Sequence, residues 1–415
     1  TRFLPGFSVF PGGVCETGES TREAARRELS EETGIELPEG FPLRPFTRAI
    51  TPAYSKYRYD VEVFLAELPV ELEPEPDGAE FVSGGWYTAS EALKARACGE
   101  IQLAPPTYRQ LEMWRSCQES KAWPDAQEAF ADPPPRNEQV LPFAPGLTII
   151  PLRTRAMPPA AWTNCILLGH RRLFIIDPGG PEVEVLMEEV GALISAGAKV
   201  EGIILSHHHP DHIDGYHALK MPELPLYCHP STRPLLPQDF PSTVDLQDGE
   251  KLQVEKDLTL ICHFTPGHAP GHLAFELPER KTILAGDMLS SLSSIVLPAD
   301  NGSLGDYIES LGKLRKLEAN LVVPSHGPPW GRGSDPFGDT LKHRQKREEQ
   351  IFALLGEEPR TVESVAARLY RGLDPRLVPA AQANVRHHLL KLLSDGKVFE
   401  SAPGWRVRTP DGEQE

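Results

Sequence analysis

The sequence predicts a multidomain α/β protein, and three observations lead there. Residues 139–335 alternate short apolar runs with turns and helical stretches. Residues 118–138, QESKAWPDAQEAFADPPPRNE, break all periodicity with polar residues and three consecutive prolines. Residues 340–408 then carry three helical patterns and a hairpin-like end. A chain of 415 residues has room for two or three domains, at about 150 residues each.

Taken in order, residues 1–117 mix a strand-like run, Tyr59–Leu68, with helical stretches at 20–33 and 107–116. Residues 118–138 are expected to be a linker, because nothing in them repeats at a helix or strand period. In 139–335 the apolar runs Leu173–Ile176, Gly202–Leu205, Leu258–Phe264, Thr282–Ala285 and Leu321–Pro324 each end in a polar loop. Strands that end this way imply an α/β layered domain with its site on the loops. In 340–408 a third helix, Ala380–Leu393, precedes Gly396, Val398 and Trp405–Val407. Three helices and a small hairpin form a winged helix-turn-helix pattern.

Composition narrows the classes. No run reaches the roughly 18 apolar residues of a membrane span, and no signal-like start is present, so no membrane partner and a cytoplasmic location are expected. The chain begins at Thr1 rather than Met, which gives that absence little weight. Six scattered cysteines without a CxxC pair suit a reducing compartment. A net charge of −17 argues against nucleic-acid binding by the whole surface. Residues 341–408 run the other way, with 13 Lys+Arg against 8 Asp+Glu, or +5. A basic end on an acidic chain suggests an anionic partner handled locally. A homodimer is compatible with these features.

Residues 10–35, FPGGVCETGESTREAARRELSEETGI, place Glu28, Glu31 and Glu32 at i, i+3 and i+4, on one face of a helix. A lone cluster of this kind reads as a solvated acidic face. Converging carboxylates also suit Mg²⁺ or Mn²⁺. Arg27 would orient a glutamate, and Gly12 and Gly13 would let the backbone approach metal or phosphate. The stretch matches Gx5Ex7REUxEExGU, with U aliphatic, at Gly13, Glu19, Arg27, Glu28, Leu29, Glu31, Glu32, Gly34 and Ile35. In this it resembles the Nudix hydrolases. The resemblance implies a Nudix α/β/α sandwich over 1–117 that hydrolyses a nucleoside diphosphate linked to another moiety. It implies that Glu28, Glu31 and Glu32 hold Mg²⁺ or Mn²⁺ near Glu19, with Glu31 and Glu32 catalytic and Gly12, Gly13 and Arg27 on the substrate side. Arg2-x3-Gly6-x3-FPGG, Arg58-Tyr59-Asp60, the Glu80…Trp86 spacing and Pro105-Pro106-Thr107 are similar to segments of CoA and acyl-CoA diphosphatases. The box starts ten residues from Thr1, so the family's first strand is expected to be missing.

A different chemistry sits at GIILSHHHPDHIDG, where an apolar strand runs into HxHxDH: His207, His209, Asp211 and His212. Alternating histidines on an extended loop point the same way and would grip one ion, leaving Asp211 and His212 to face a second. Imidazole and carboxylate at this density favour Zn²⁺, with Fe or Mn as alternatives. Later runs end in TPGHAPGH, LAGD and VVPSHG, offering His268, Asp287 and His326, and FIIDPGG supplies Asp177 as a loop-fixing residue. His208 reads as filler, His272 as structural or substrate-side, and His217, His229 and His263 as ordinary histidines. This ordered set resembles the metallo-β-lactamase superfamily over about 150–335. The resemblance implies an αββα sandwich with two metals: one on His207, His209 and His268, the other on Asp211, His212 and His326, bridged by Asp287. Asp211 would assist proton transfer. A bridging Asp287 resembles the pattern of the superfamily's thioesterases and nucleases.

The tail, from HRQKREEQIFALL to VRHHLLKLLSDGKVFES, resembles that of the mitochondrial lactamase-like endoribonuclease. The resemblance implies a winged module beside the metal site, with Arg386, His387, His388 and Lys391 available to phosphates and single-stranded RNA as a partner. Against this stands packing, the common alternative use of a winged helix. Two other readings remain open. One couples an acyl-CoA thioesterase, similar to glyoxalase II, to a CoA diphosphatase. The other makes the Nudix part a non-catalytic ligand sensor. In each case the substrate is small and phosphorylated or CoA-like, unless it is RNA.

Overall fold

The computed structural model describes residues 4–51, 55, 58–68, 72–78, 81–133, 138–356, 358–402 and 404–408. Arg2 and Glu80, used in the sequence comparison above, lie outside the described residues.

The N-terminal unit is built on helix α1 (Thr21–Thr33), which the sequence brackets at both ends. Ser20 and Glu23 form a capping box, and Gly34 closes the helix at φ 69°. Antiparallel strands β1 (Arg44–Ile50) and β2 (Asp60–Leu65) follow. Helices α2 (Ala89–Ala97) and α3 (Pro105–Ser120) complete the unit, α3 starting on prolines that lack the amide hydrogens a first turn cannot use.

The stretch expected to be a linker is packed where it is described. Helix α3 runs on to Ser120, and a further turn, α4 (Ala126–Ala129), begins at an Asp125 capping box. Trp123 lies edge-on to Trp114, with ring centres 6.1 Å apart, and Arg44 sits over its ring at 4.5 Å. Phe130 meets Phe64 at 5.5 Å. Aromatic rings spaced at irregular intervals carry no periodicity, so this anchoring was invisible to a pattern-based reading.

The central domain is a two-sheet sandwich. One sheet orders seven strands as β3 (Leu141–Ala144), β4 (Leu147–Arg153), β5 (Trp162–Leu168), β6 (Arg172–Ile176), β7 (Lys199–Ile204), β8 (Leu226–Cys228) and β9 (Thr243–Asp245). The other orders five, β10 (Lys251–Glu255), β11 (Leu258–Phe264), β12 (Leu273–Leu277), β13 (Thr282–Ser290) and β14 (Leu321–His326). Their facing sides share one core, to which Ile149 and Ile166 contribute from the first sheet and Leu260 and Phe275 from the second. Helix α5 (Glu184–Ser195) covers the first sheet, and a short helix, α6 (Pro210–Ile213), follows β7. Helix α7 (Leu304–Arg315) covers the second.

Strand direction places the loops. β6 and β7 are parallel, so both end at one rim. β12 is antiparallel to β11 and to β13, which makes β11, β13 and β14 point the same way. His207, His268 and His326 therefore come from the exit ends of three strands, and Asp287 from the last part of β13.

The C-terminal module has helices α8 (Pro336–Leu354), α9 (Val362–Leu369) and α10 (Val378–Ser394), then the wing β15 (Val398–Ser401) and β16 (Gly404–Val407), around its own small core. The N-terminal unit joins the sandwich core as well: Leu4, Phe7 and Ala104 are buried in the same cluster as Leu141 and Phe143. Among the described residues, no helix is long and apolar enough to cross a membrane.

Candidate metal centre

After β7 the chain extends through Ser206 and His207, and His209 then begins the single turn that carries Asp211 and His212. Three groups of candidate ligand atoms result, each within 4.8 Å: His207, His209 and His268; His207, His212 and Asp287; Asp211, His212 and His326. His209 Nδ1 is 2.9 Å from His207 Nε2 and 2.8 Å from His268 Nε2. The Asp287 carboxylate divides between the groups. Its Oδ2 is 3.3 Å from His268 Nε2, while its Oδ1 is 3.4 Å from the Nε2 atoms of His212 and His326.

The ring orientations are set from behind. His207 Nδ1 donates to Ser206 Oγ (3.0 Å), which in turn donates to Asp177 Oδ2 (2.6 Å). His212 Nδ1 donates to the same Asp177 oxygen at 3.0 Å. His268 donates to the Val296 carbonyl (3.0 Å) and His326 to that of Trp162 (2.9 Å). With Nδ1 used in four rings, Nε2 is left facing the centre as a lone-pair donor. Asp177 itself sits at φ 52°, a left-handed conformation that aspartate tolerates better than most residues.

Burial and charge fit a cation. Burial holds the His207 imidazole well below its ordinary range and drives His268 down to about 3, so both are neutral and available. At His212 burial opposes charge too, yet the carboxylates of Asp287, Asp177 and Asp211 together raise it. Burial likewise opposes charge on His326, but Asp287 and Asp211 lift it to about 10. The same carboxylates would be satisfied by a bound cation. The buried His212 Nε2 and Asp287 Oδ1 atoms, 3.4 Å apart, make no hydrogen bond, which fits a role as ligand atoms.

Of its two expected roles, structural or substrate-side, His272 is placed in the structural one. It is fully buried, its Nδ1 bonds Thr265 Oγ1 at 2.8 Å and its Nε2 accepts the Asp287 N–H at 3.0 Å. Both nitrogens are spent on the protein, so it positions Asp287. His208 is half-buried and outside all three groups, as filler should be. His217 pairs with Asp239, His229 stacks on Phe264 and His263 pairs with Glu276.

The winged helix is present, but most of the residues expected to face phosphate are turned elsewhere. His388 is fully buried beside Glu348, His387 is buried with its Nε2 on the Pro298 carbonyl at 2.9 Å, and Lys391 pairs with Glu348 and Asp395. Of the four residues expected to face phosphate, only Arg386 is exposed. The helix period that spaced them also turned two toward the protein.

In the N-terminal unit, Arg27 gathers the carboxylates. It bonds Glu19 (3.1 Å), Glu28 (2.8 Å) and Glu31 (3.0 Å) and donates to the Val14 carbonyl, so its guanidinium is engaged by the carboxylates rather than free to face a substrate. Hydrogen bonding to Arg27 lowers the Glu19 carboxyl. Glu32 is buried and accepts the Gly12 N–H at 2.8 Å. A side chain at Gly13 would have to push the Glu28 carboxylate aside. The all-oxygen donor set suits Mg²⁺ or Mn²⁺. Among the described residues, however, only the histidine site brings three candidate ligands within 4.8 Å. Here the glutamates are drawn to Arg27 instead.

Comparison with known families agrees with this division. Residues 163–326 match the metallo-β-lactamase superfamily, residues 1–108 the NUDIX domain, and residues 361–405 the β-lactamase-associated winged helix domain. The chain is a Nudix, metallo-β-lactamase and winged-helix fusion. Its folds belong to hydrolase families, and its lactamase-fold domain carries a metal-binding His/Asp cluster. The β-lactamase-like protein 2 homolog of Caenorhabditis elegans is 29% identical over 248 residues, covering 57% of this chain and 80% of that one. An atrochrysone carboxyl ACP thioesterase of Aspergillus chevalieri is 28% identical over 256 residues, covering 58% and 79%. A metallo-β-lactamase family protein of Thermus thermophilus superposes with a TM-score of 0.52 at 25% identity, covering 63% of this chain and 99% of that one.

Proposed function

We propose that the lactamase-fold site is a two-metal hydrolase of acyl thioesters and that the Nudix site cleaves the diphosphate of a CoA-type molecule. His207, His209 and His268 would hold one cation and Asp211, His212 and His326 the other, with Asp287 between them. Zn²⁺ suits this imidazole-rich set, with Fe or Mn as alternatives. Bound there, the cations supply Lewis acidity at the scissile carbonyl and a water acidic enough to attack it. The chain's own residues do the rest: Asp177 and Ser206 hold the imidazoles in one tautomer, and Asp211 takes up the proton that the attack releases. In the Nudix domain, Glu28 and Glu32 would hold Mg²⁺ or Mn²⁺, with Glu31 beside them.

The observation that carries the thioester reading is the use of helix α10. Its His387, His388 and Lys391 are bonded or packed against protein, so the surface expected to receive RNA phosphates is mostly spent. The relative named as a thioesterase supports the same choice. Single-stranded RNA is the second reading, favoured by the exposed Arg386 next to the wing.

Purified protein loaded with Zn²⁺ or Mn²⁺, offered acyl-CoA thioesters, free CoA and single-stranded RNA, separates them. Thioester hydrolysis should vanish in Asp211→Ala and persist in Glu32→Ala, with CoA diphosphate cleavage showing the reverse. RNA cleavage lost in Asp211→Ala, without thioester turnover, would replace this reading with the nuclease one. Failure of the Nudix site to turn over CoA with full metal would leave it a ligand sensor.

A further inference from the structure

Three nearly consecutive backbone carbonyls after β13 are claimed from different directions. The Ile295 carbonyl accepts from the Arg344 guanidinium on α8. The Val296 carbonyl accepts from His268 Nδ1 at 3.0 Å. The Pro298 carbonyl accepts from His387 Nε2 on α10 at 2.9 Å. The donors flanking His268 both come from the C-terminal module. Both donors are nearly inaccessible, Arg344 at 2% and His387 at 5% relative exposure, so losing either leaves a polar group poorly placed to bond water instead.

The same arginine also packs on α7, next to the backbone that follows Asp287. Its guanidinium lies over the Tyr307 ring at 5.0 Å, and the Tyr307 hydroxyl donates to the Met288 carbonyl at 2.7 Å, one residue past Asp287. The acceptor behind His268 thus lies on backbone that α8 and α10 hold, while the backbone beside Asp287 is held by Tyr307 of α7, on which Arg344 packs.

We infer that the winged-helix module is a brace for the metal site, in which His387 and Arg344 act as positioning residues for His268 through the 295–298 backbone. This rests on the proposal that His268 is a ligand. The physical reason is that a ring's orientation is only as fixed as the acceptor behind it. Val296 has no regular strand to anchor it, lying beyond the end of β13. Its position comes from the bonds on either side. The helix that resembles a nucleic-acid reader is here turned inward to fix a catalytic loop.

The test reads metal affinity rather than turnover. Full-length wild type, His387→Phe, His387→Gln and Lys342→Ala would be stripped, and Zn²⁺ titrated in competition with a chromogenic chelator. Hydrogen exchange of segment 291–303 would be followed in parallel. His387→Phe keeps the ring volume and loses the donor. It should weaken Zn²⁺ binding by about 10-fold, the low end for a lost bond behind a metal ligand, and speed exchange in 291–303. Glutamine restores an N–H at similar reach and should recover most of both. Lys342→Ala, on the exposed side of α8, should match wild type. If the phenylalanine variant fails to fold, His387→Ala removes the donor without adding volume. Wild-type affinity and exchange in a folded donor-less variant would overturn the brace, as would equal loss in the glutamine variant. If wild type itself takes up no Zn²⁺, the metal-site reading falls instead, which is a distinguishable result.

Discussion

The Nε2 atom of His272 accepts the backbone N–H of Asp287 at 3.0 Å, fixing the backbone of the carboxylate that lies between His268 and the His212–His326 pair. Gly286 makes the approach possible: at φ 55° it leaves a gap in which a Cβ would stand 2.4 Å from His272 Nε2. Gly286→Ala is therefore expected to displace His272 and tilt Asp287. Metal content after dialysis should fall roughly 10-fold, in line with losses behind a ligand. His272→Gln, which keeps an acceptor, should fall less. Elemental analysis of dialysed protein reads both.

Asp177 supports two imidazoles at once, His212 directly and His207 through Ser206. Asp177→Asn puts an amide where His212 needs an acceptor. The expected cost is about 10- to 100-fold in metal affinity, measured by the same chelator competition. Ser206→Ala affects only the His207 arm and should sit nearer wild type.

Trp123 is the strongest check on the packed connection. It is half-buried between Trp114 and Arg44, so Trp123→Ala should lower the stability of the N-terminal unit by about 2 kcal/mol, below the range for a fully buried ring. A separate early transition in a thermal melt would report it, with metal content unchanged. A free linker would show no shift.

Glu348 links the module to pH. The neighbouring His388 imidazole, 3.8 Å away, and the Lys391 ammonium bonded to it hold the Glu348 carboxyl below its ordinary range. A depressed carboxylate stabilises the fold above its unfolded value, and that contribution is lost as pH falls through the folded one. Glu348→Gln should be less stable than wild type at neutral pH. The gap should close below about pH 4, as urea midpoints across pH 3 to 7 would show.

Much of the site was legible in the chain. HxHxDH after an apolar strand, followed by histidines and an aspartate at the ends of three later runs, named His207, His209, Asp211, His212, His268, Asp287 and His326, and the fold brings them together. Local spacing was enough because ligands at strand ends need only the strands to share a rim. The Nudix box was legible in the same way, through a helix that caps itself.

What the sequence alone determined was the list of side chains with metal chemistry and the order of the elements that carry them. Only the tertiary structure decided their supports and directions. The carbonyls of Val296 and Trp162 have no residue-type signature, so no spacing could reveal that they orient His268 and His326. Likewise a helical repeat says which residues share a face, but not whether that face meets solvent or protein. The packing of α10 against Pro298 and Glu348 settled that, turning His387 and His388 inward and leaving Arg386 exposed.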